Sequence, residues 1–169
     1  QDQSDRALYI KTGQENTLKF VAQNDLEAAA NSYKATVLGI QAGVGIDYSQ
    51  NQANHDISVL QADYKTAQAR AEVIGILENS SDVAAWQYLE KQIKAMPKEF
   101  TPDQRDAYEA AIETEIKQHI TNENIKENEA AEGRALRQEA NATNISVGIS
   151  NGTANRQDID NADISFTQR

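Results

Sequence analysis

Residues 26–44 have the sequence LEAAANSYKATVLGIQAGV, and their apolar side chains recur at steps of four, three, four, three and four residues. This spacing keeps one stripe of a helix turned towards a neighbouring helix. The stripe consists of Leu26, Ala30, Tyr33, Val37, Ile40 and Val44. We therefore predict a helix that runs from Asp5 to about Gly39 and carries one buried seam.

A second stripe with the same alternation of steps follows along the chain. It consists of Ile57, Leu60, Tyr64, Ala67, Ala71 and Ile74. The two stripes are separated by residues 47–56, DYSQNQANHD, which are polar and rich in Asn and Gln. Two seams of similar length joined by a polar segment predict an antiparallel helical hairpin over about residues 5–77.

Two further helices are predicted after the turn residues of ENSSD, residues 78–82. The first spans about residues 82–96 and is stopped by Pro97. The second spans about residues 102–140, and its start has a clear signature, with Thr101 as N-cap, Pro102 at the first helical position and Gln104 completing a capping box. Residues 1–140 are thus predicted to form one helical domain.

Residues 141–169 form a polar segment rich in Asn and Gly. Within it, Ile145, Val147 and Ile149 alternate with small or polar residues, which predicts a short strand, and Asn151-Gly152 is typical of a hairpin turn. The alternative is a disordered tail. The predicted fold class is mainly α: an elongated helical hairpin or bundle with a short β or irregular C-terminal segment.

Small residues are concentrated at residues 35–46, ATVLGIQAGVGI. On a helix Ala35, Gly39 and Gly43 share one face, and with Gly45 they form a candidate close-packing site where another backbone approaches. Three alternatives remain open: a tight crossing within the chain, a seam between identical subunits of a ring or tube, and a strand that contacts a membrane in an oligomeric barrel.

Composition excludes several classes of function. The net charge of −10 disfavours nucleic-acid binding, which needs a basic surface. The chain has no Cys, so it has neither disulfides nor a cysteine nucleophile. No apolar run is long enough to span a bilayer as a helix. Because the chain begins at Gln1 without a Met, we expect that something precedes it, either a signal peptide, a propeptide or simply a further end of the chain.

No pattern of catalytic residues is present, and we predict that the protein is not an enzyme. The two histidines, His55 and His119, lie in polar surroundings, and Glu115 and Glu123 flank His119 as a charged helix surface rather than as a metal site. No glycine pattern matches a phosphate-binding or dinucleotide-binding loop. We expect no metal and no cofactor.

The helix LQADYKTAQARAEVIG (residues 60–75), the break LENSSD (77–82) and the later LRQEANAT (136–143) resemble the internal core proteins of short-tailed phages. The resemblance implies a helical virion component that is ejected and builds a conduit through the host cell envelope. It implies homo-oligomers, other structural proteins as partners, and a location in the virion and then in the envelope. The alternative is a monomeric binding module, or an exported or periplasmic adaptor, that docks a partner protein.

Overall fold

The structure is a computed structural model that describes residues 3–46 and 48–153. Its fold is mainly α, as predicted, with five helices in the described residues. They are α1 (Gln3–Ala22), α2 (Leu26–Ala42), α3 (Gln50–Asn79), α4 (Asp82–Ala95) and α5 (Pro102–Ser150). The chain divides into two compact units, Gln1–His119 and Ile120–Arg169. The boundary between the two units lies inside α5, whereas the sequence composition predicts that the helical domain ends after residue 140.

The helix predicted from Asp5 to about Gly39 is interrupted, and the predicted two-helix hairpin therefore contains three helices. Asn24 adopts a left-handed conformation with φ 58°, and the Asp25 amide donates to the Phe20 carbonyl at 2.9 Å. This hydrogen bond ends α1 in the manner of a Schellman motif. Asp25 then caps α2, because its carboxylate accepts from the Ala28 amide at 3.0 Å.

Serine and threonine caps fix the starts of the later helices. Ser49 accepts from the Gln52 amide at 3.2 Å, so α3 already begins within the polar segment that was predicted to connect two helices. Ser81 caps α4 in the same way. The predicted capping box of α5 is confirmed, because Thr101 and Gln104 each accept a hydrogen bond from the other's amide, at 3.2 and 3.0 Å.

The core of the first unit is built around α3. On one side the rings of Tyr33 and Tyr64 stack with centroids 4.8 Å apart, beside the buried Val21 and Ala29. The larger apolar side chains that are buried elsewhere in the unit include Leu60, Val73, Leu77, Leu89, Phe100, Tyr108, Ile112 and Ile116. The Phe100 and Tyr108 rings meet edge to face, and Arg70 of α3 pairs with Glu115 of α5. Apolar packing and side-chain pairing thus hold α3 against its neighbours.

The two predicted seams are only partly buried. Ile40, Leu60 and Tyr64 are buried, and Tyr33, Val37 and Ile57 are half-buried. Leu26 and Ile74 are exposed, which corrects their assignment to a buried seam. Leu26 is the first residue of α2. In the last part of α3, Val73 is buried in the core, whereas its neighbour Ile74 is exposed. A helix packed on more than one side buries residues outside a single 3–4 stripe.

The second unit contains the helical residues 120–150. The strand predicted at Ile145, Val147 and Ile149 is wrong, because these residues lie in α5. Asn151-Gly152 ends the helix instead of turning a hairpin: Gly152 has φ 69°, and the Thr153 amide donates to the Gly148 carbonyl at 2.7 Å. The rest of the predicted C-terminal segment, residues 154–169, lies outside the described residues.

Candidate functional site

Helices α1 and α2 pack antiparallel through a series of layers that contain small residues, which we call the α1–α2 seam. Its layers are Tyr9 with Gly39, Gly13 with Thr36, Thr17 with Ser32, and Val21 with Ala29. The two members of each layer are nearly equidistant along the chain from the turn at Asn24. Such small residues allow two helix backbones to approach closely.

The closest approach in the seam is at Gly13. A Cβ atom added there would lie 2.7 Å from Cγ2 of Thr36, well inside van der Waals contact. Thr36 is 3% exposed, and its hydroxyl donates to the Ser32 carbonyl at 2.8 Å, so this branched side chain has little freedom to move. Gly13 is therefore required by packing rather than by backbone conformation.

The next layer of the seam is polar and fully paired. Thr17 is 1% exposed, and its hydroxyl donates to the Gly13 carbonyl at 2.8 Å and lies 3.0 Å from the Ser32 hydroxyl. Beside it, Gln14 hydrogen-bonds to Asp63 of α3, while burial raises the pKa of the Asp63 carboxyl. Buried polar groups favour a single register, since a slipped pairing would leave them without partners.

The predicted close-packing residues divide into two groups. Ala35 and Gly39 lie together under the chain's own Tyr9, whose hydroxyl donates to the Ala35 carbonyl at 3.1 Å. Gly43 and Gly45 instead belong to the turn after α2, where Gly45 has φ 83°. The strand alternative for residues 35–46 is wrong, because α2 extends to Ala42. Where Gly39 meets Tyr9, the close contact is therefore between α1 and α2 of the same chain.

The turn after α2 carries a polar cluster with Tyr48 at its centre. Arg6 of α1 lies over the Tyr48 ring, 5.1 Å from its centroid, and the Tyr48 hydroxyl donates to Asp56. Gln52 also donates to Asp56, at 3.0 Å. Burial and then the Asp56 carboxylate raise the pKa of Tyr48 to about 12, although Arg6 opposes this shift. The cluster joins the start of α1 to the start of α3.

A cleft of about 390 Å³ opens beside this cluster, between α1, α2 and the turn. Its apolar lining includes Ile10, Ile40 and Ile46, and its polar lining includes Asp5 and Arg6. Gly39 and Gly43 also border it. The cleft is large enough for one or two side chains of another protein, and it offers them both apolar and charged contacts.

Tyr48 should make the protein less stable in alkali. Because the pKa of Tyr48 is about 12 in the folded chain against an ordinary value of 10.0, folding favours the protonated phenol, and this stabilisation is lost as pH rises between these values. The free energy of unfolding should fall by about 1–2 kcal/mol more in wild type than in Tyr48→Phe over this range. Urea unfolding at several pH values measures the difference.

Asp56→Asn is the matched control for this experiment. It keeps an acceptor for the Tyr48 hydroxyl but removes the negative charge that raises the pKa of Tyr48. Its alkaline loss of stability should lie between those of wild type and Tyr48→Phe. Burial also raises the pKa of Tyr33, Tyr88 and Tyr108, but these groups are present in all three proteins and cancel in the comparison. If the free energy of unfolding fell equally with pH in the three proteins, the assignment of the alkaline loss of stability to Tyr48 would be refuted.

The second unit exposes apolar side chains along its helix. Ile125, Leu136 and Val147 follow each other at intervals of eleven residues and are 50%, 67% and 54% exposed. Eleven residues are close to three helical turns, so the three side chains share one face, which we call the α5 stripe. From residue 121 to residue 137 every residue is exposed except the half-buried Gly133. Most helices are stabilised by packing of such a face.

Two residues that matter for the α1–α2 seam were missed by sequence reasoning. Gly13 is not identified by its local sequence, because the side chain that constrains it belongs to Thr36, which is distant in sequence. Asn24 was passed over within a predicted helix, although the pair Asn24-Asp25 does combine a residue that tolerates left-handed backbone with a strong N-cap. That pair is the signal that could have revealed the turn.

Neither a metal site nor a membrane span is found within residues 3–46 and 48–153. There, no three His, Asp or Glu side chains are grouped so that they could hold a metal ion. The same residues contain no helix with the length and apolar character needed to cross a bilayer. Comparison with protein families, with curated proteins and with solved structures finds no match to this chain.

Proposed function

We propose that the protein is a non-enzymatic structural subunit that assembles with copies of itself through the α5 stripe. The observation that supports this proposal is the exposure of Ile125, Leu136 and Val147 on one face of a long helix. Single exposed apolar side chains are ordinary, whereas a repeated row on one face is typical of a helix that packs on a neighbouring chain. The α5 stripe is therefore the assembly surface in this proposal.

The more specific part of the proposal rests on the resemblance to internal core proteins of short-tailed phages. The subunit would be packed in the virion, ejected, and built with other structural proteins into a conduit through the host cell envelope. Long helices that pack side by side suit the wall of such a conduit, and the net charge of −10 disfavours binding to the phosphates of a passing nucleic acid. This part is tested by locating the protein in purified virions and in envelope fractions after ejection.

Leu136→Glu should weaken self-assembly more than tenfold. The substitution removes an apolar side chain from the stripe, and burial of a leucine contributes about 1.5–3 kcal/mol. It also places a charge where a neighbouring chain would bury it. Light scattering after size-exclusion chromatography, over a range of protein concentrations, measures the assembly constant, and circular dichroism verifies that the helix content is unchanged.

Leu8→Glu is the matched control, because Leu8 of α1 is 63% exposed, close to the 67% of Leu136. It makes the same change of charge and size on another helix, and assembly should be unaffected. A wild-type chain that stays monomeric at the highest concentrations would contradict the proposal. Equal weakening by both substitutions would show that the α5 stripe has no special role.

The cleft between α1, α2 and the turn favours a second candidate, a monomeric module that docks a partner protein. Its apolar floor and its Asp5 and Arg6 rim would accept a partner helix with one apolar anchor. This candidate predicts a monomer that gains thermal stability with one partner. It also predicts that Ile46→Asp, at the edge of the cleft, abolishes that gain whereas Leu136→Glu leaves it intact.

A further inference from the structure

The connector between α1 and α2 consists of residues 23–25, of which Asn24 and Asp25 have non-helical backbone. Asn24 is the one non-glycine residue with positive φ among the described residues. Left-handed backbone is disfavoured for residues with a Cβ atom, although Asn tolerates it better than most. The backbone amides of the connector donate back to α1, from Asn24 to the Val21 carbonyl and from Asp25 to the Phe20 carbonyl, whereas the Asp25 carboxylate accepts from Ala28 of α2.

A preference for helix surrounds this connector on both sides. The residues on both sides of it are helical, and the pattern of residues 5–39 predicts one uninterrupted helix. The turn residues Asn24 and Asp25 therefore interrupt a segment that otherwise favours helix. If Asn24 and Asp25 both adopted helical backbone, α1 and α2 would join into one helix from Gln3 to Ala42, about 60 Å long, and α1 would leave the rest of its own chain.

The α1–α2 seam has the symmetry that a second copy needs. Its layers pair residues nearly equidistant from Asn24, so the α1 of a second copy can take the same antiparallel register along α2. Each α1 then meets the α2 of the other chain, and every layer re-forms, including the polar contact of Thr17 with Ser32. Such a contact is isologous, as closed two-fold dimers require.

We propose that two copies of this chain exchange α1, with Asn24 as the hinge. The occupant of the vacated surface is the α1 of the second copy, because only the same helix offers a glycine opposite Thr36 and a hydroxyl opposite Ser32 in the same register. Gln14 of the exchanged helix likewise meets Asp63 of the other chain. The exchange involves α1, α2 and α3 and is independent of the α5 stripe.

The experiment compares Asn24→Ala with Asn24→Gly in the chain of residues 1–169 that also carries Leu136→Glu, which weakens assembly through the α5 stripe. Alanine disfavours the left-handed turn and favours the joined helix, whereas glycine favours the turn. An exchanged dimer contains two copies of residue 24. If alanine favours the joined helix over the turn about fivefold more than asparagine does at each copy, the dimer association constant of Asn24→Ala should be about 25-fold above that of the chain with Asn24. Asn24→Gly should dimerise more weakly than Asn24.

A disulfide distinguishes exchange from ordinary association. The chain has no Cys, and the Thr17 and Ser32 hydroxyl oxygens are 3.0 Å apart, so Thr17→Cys with Ser32→Cys should crosslink across the seam. The protein is refolded from denaturant at high and low concentration and then oxidised. Exchange gives covalent dimers whose yield rises with concentration and is greater for Asn24→Ala than for Asn24→Gly.

Crosslinks confined to single chains at every concentration, in both variants, would overturn the proposal. If Asn24→Ala fails to fold, as judged by circular dichroism, the comparison of Asn24 with Asn24→Gly decides it: equal dimer yields would also overturn the exchange. The result does not depend on whether the protein assembles through the α5 stripe, which Leu136→Glu tests. The proposal of α1 exchange and the proposal of assembly through the α5 stripe can therefore fail separately.

Discussion

Ile112→Ala should reduce the free energy of unfolding by about 2–5 kcal/mol, the range for truncating a fully buried isoleucine. Ile112 of α5 is 0% exposed. Its truncation removes apolar contacts and leaves a cavity that the surrounding helices can only partly close. A loss of this size is a large part of the stability of an ordinary domain, so the variant should unfold at much lower urea concentration.

Ile74→Ala is the matched control for Ile112→Ala. The side chain and the substitution are the same, but Ile74 is 38% exposed, so the expected loss is about 1 kcal/mol or less. Urea unfolding followed by circular dichroism gives both values, and similar slopes of the transitions allow them to be compared. An equal loss at Ile74 would restore this residue to the buried seam that its spacing predicted.

Gly13→Ala should destabilise the first unit by about 1–3 kcal/mol, the usual range for an overpacked core. The new Cβ atom would lie 2.7 Å from Thr36 Cγ2, and Thr36 is buried and cannot rotate away without losing its contacts. Alanine favours a helix over glycine by roughly 0.5–1 kcal/mol, but this gain is smaller than the cost of separating α1 from α2. Thr36→Ala should partly rescue the variant by making room.

Gly75→Ala is the control for Gly13→Ala, and we expect it to raise the stability of the protein rather than lower it. A Cβ atom at Gly75 of α3 has nothing within 4 Å, so only the helix preference changes, and stability should rise by roughly 0.5–1 kcal/mol. Gly39→Ala should fall between them, since the Tyr9 ring that it meets is half-exposed and can turn aside. Thermal unfolding of the three variants measures this order, and a stabilising Gly13→Ala would show that the seam is looser than the structure indicates.

The features that sequence alone determined are local. The capping box of Thr101 and Gln104 and the stop before Pro97 depend on residues within a few positions of each other. The mainly helical fold follows from spacing and propensity summed over long segments, and these signals need no knowledge of distant contacts. For the same reason the alternation at Ile145, Val147 and Ile149 misled, because five residues are too few to outweigh the helix that precedes them.

Only the tertiary structure decided which faces are buried and which helices pair. Gly13 is constrained by Thr36, and the pairing of α1 along α2 adds contacts that support the turn at Asn24 and Asp25. Val73 rather than Ile74 enters the core, since α3 has neighbours on more than one side. Such choices depend on contacts between residues far apart in the chain, whereas the backbone hydrogen bonds and caps of a helix depend on residues one turn apart.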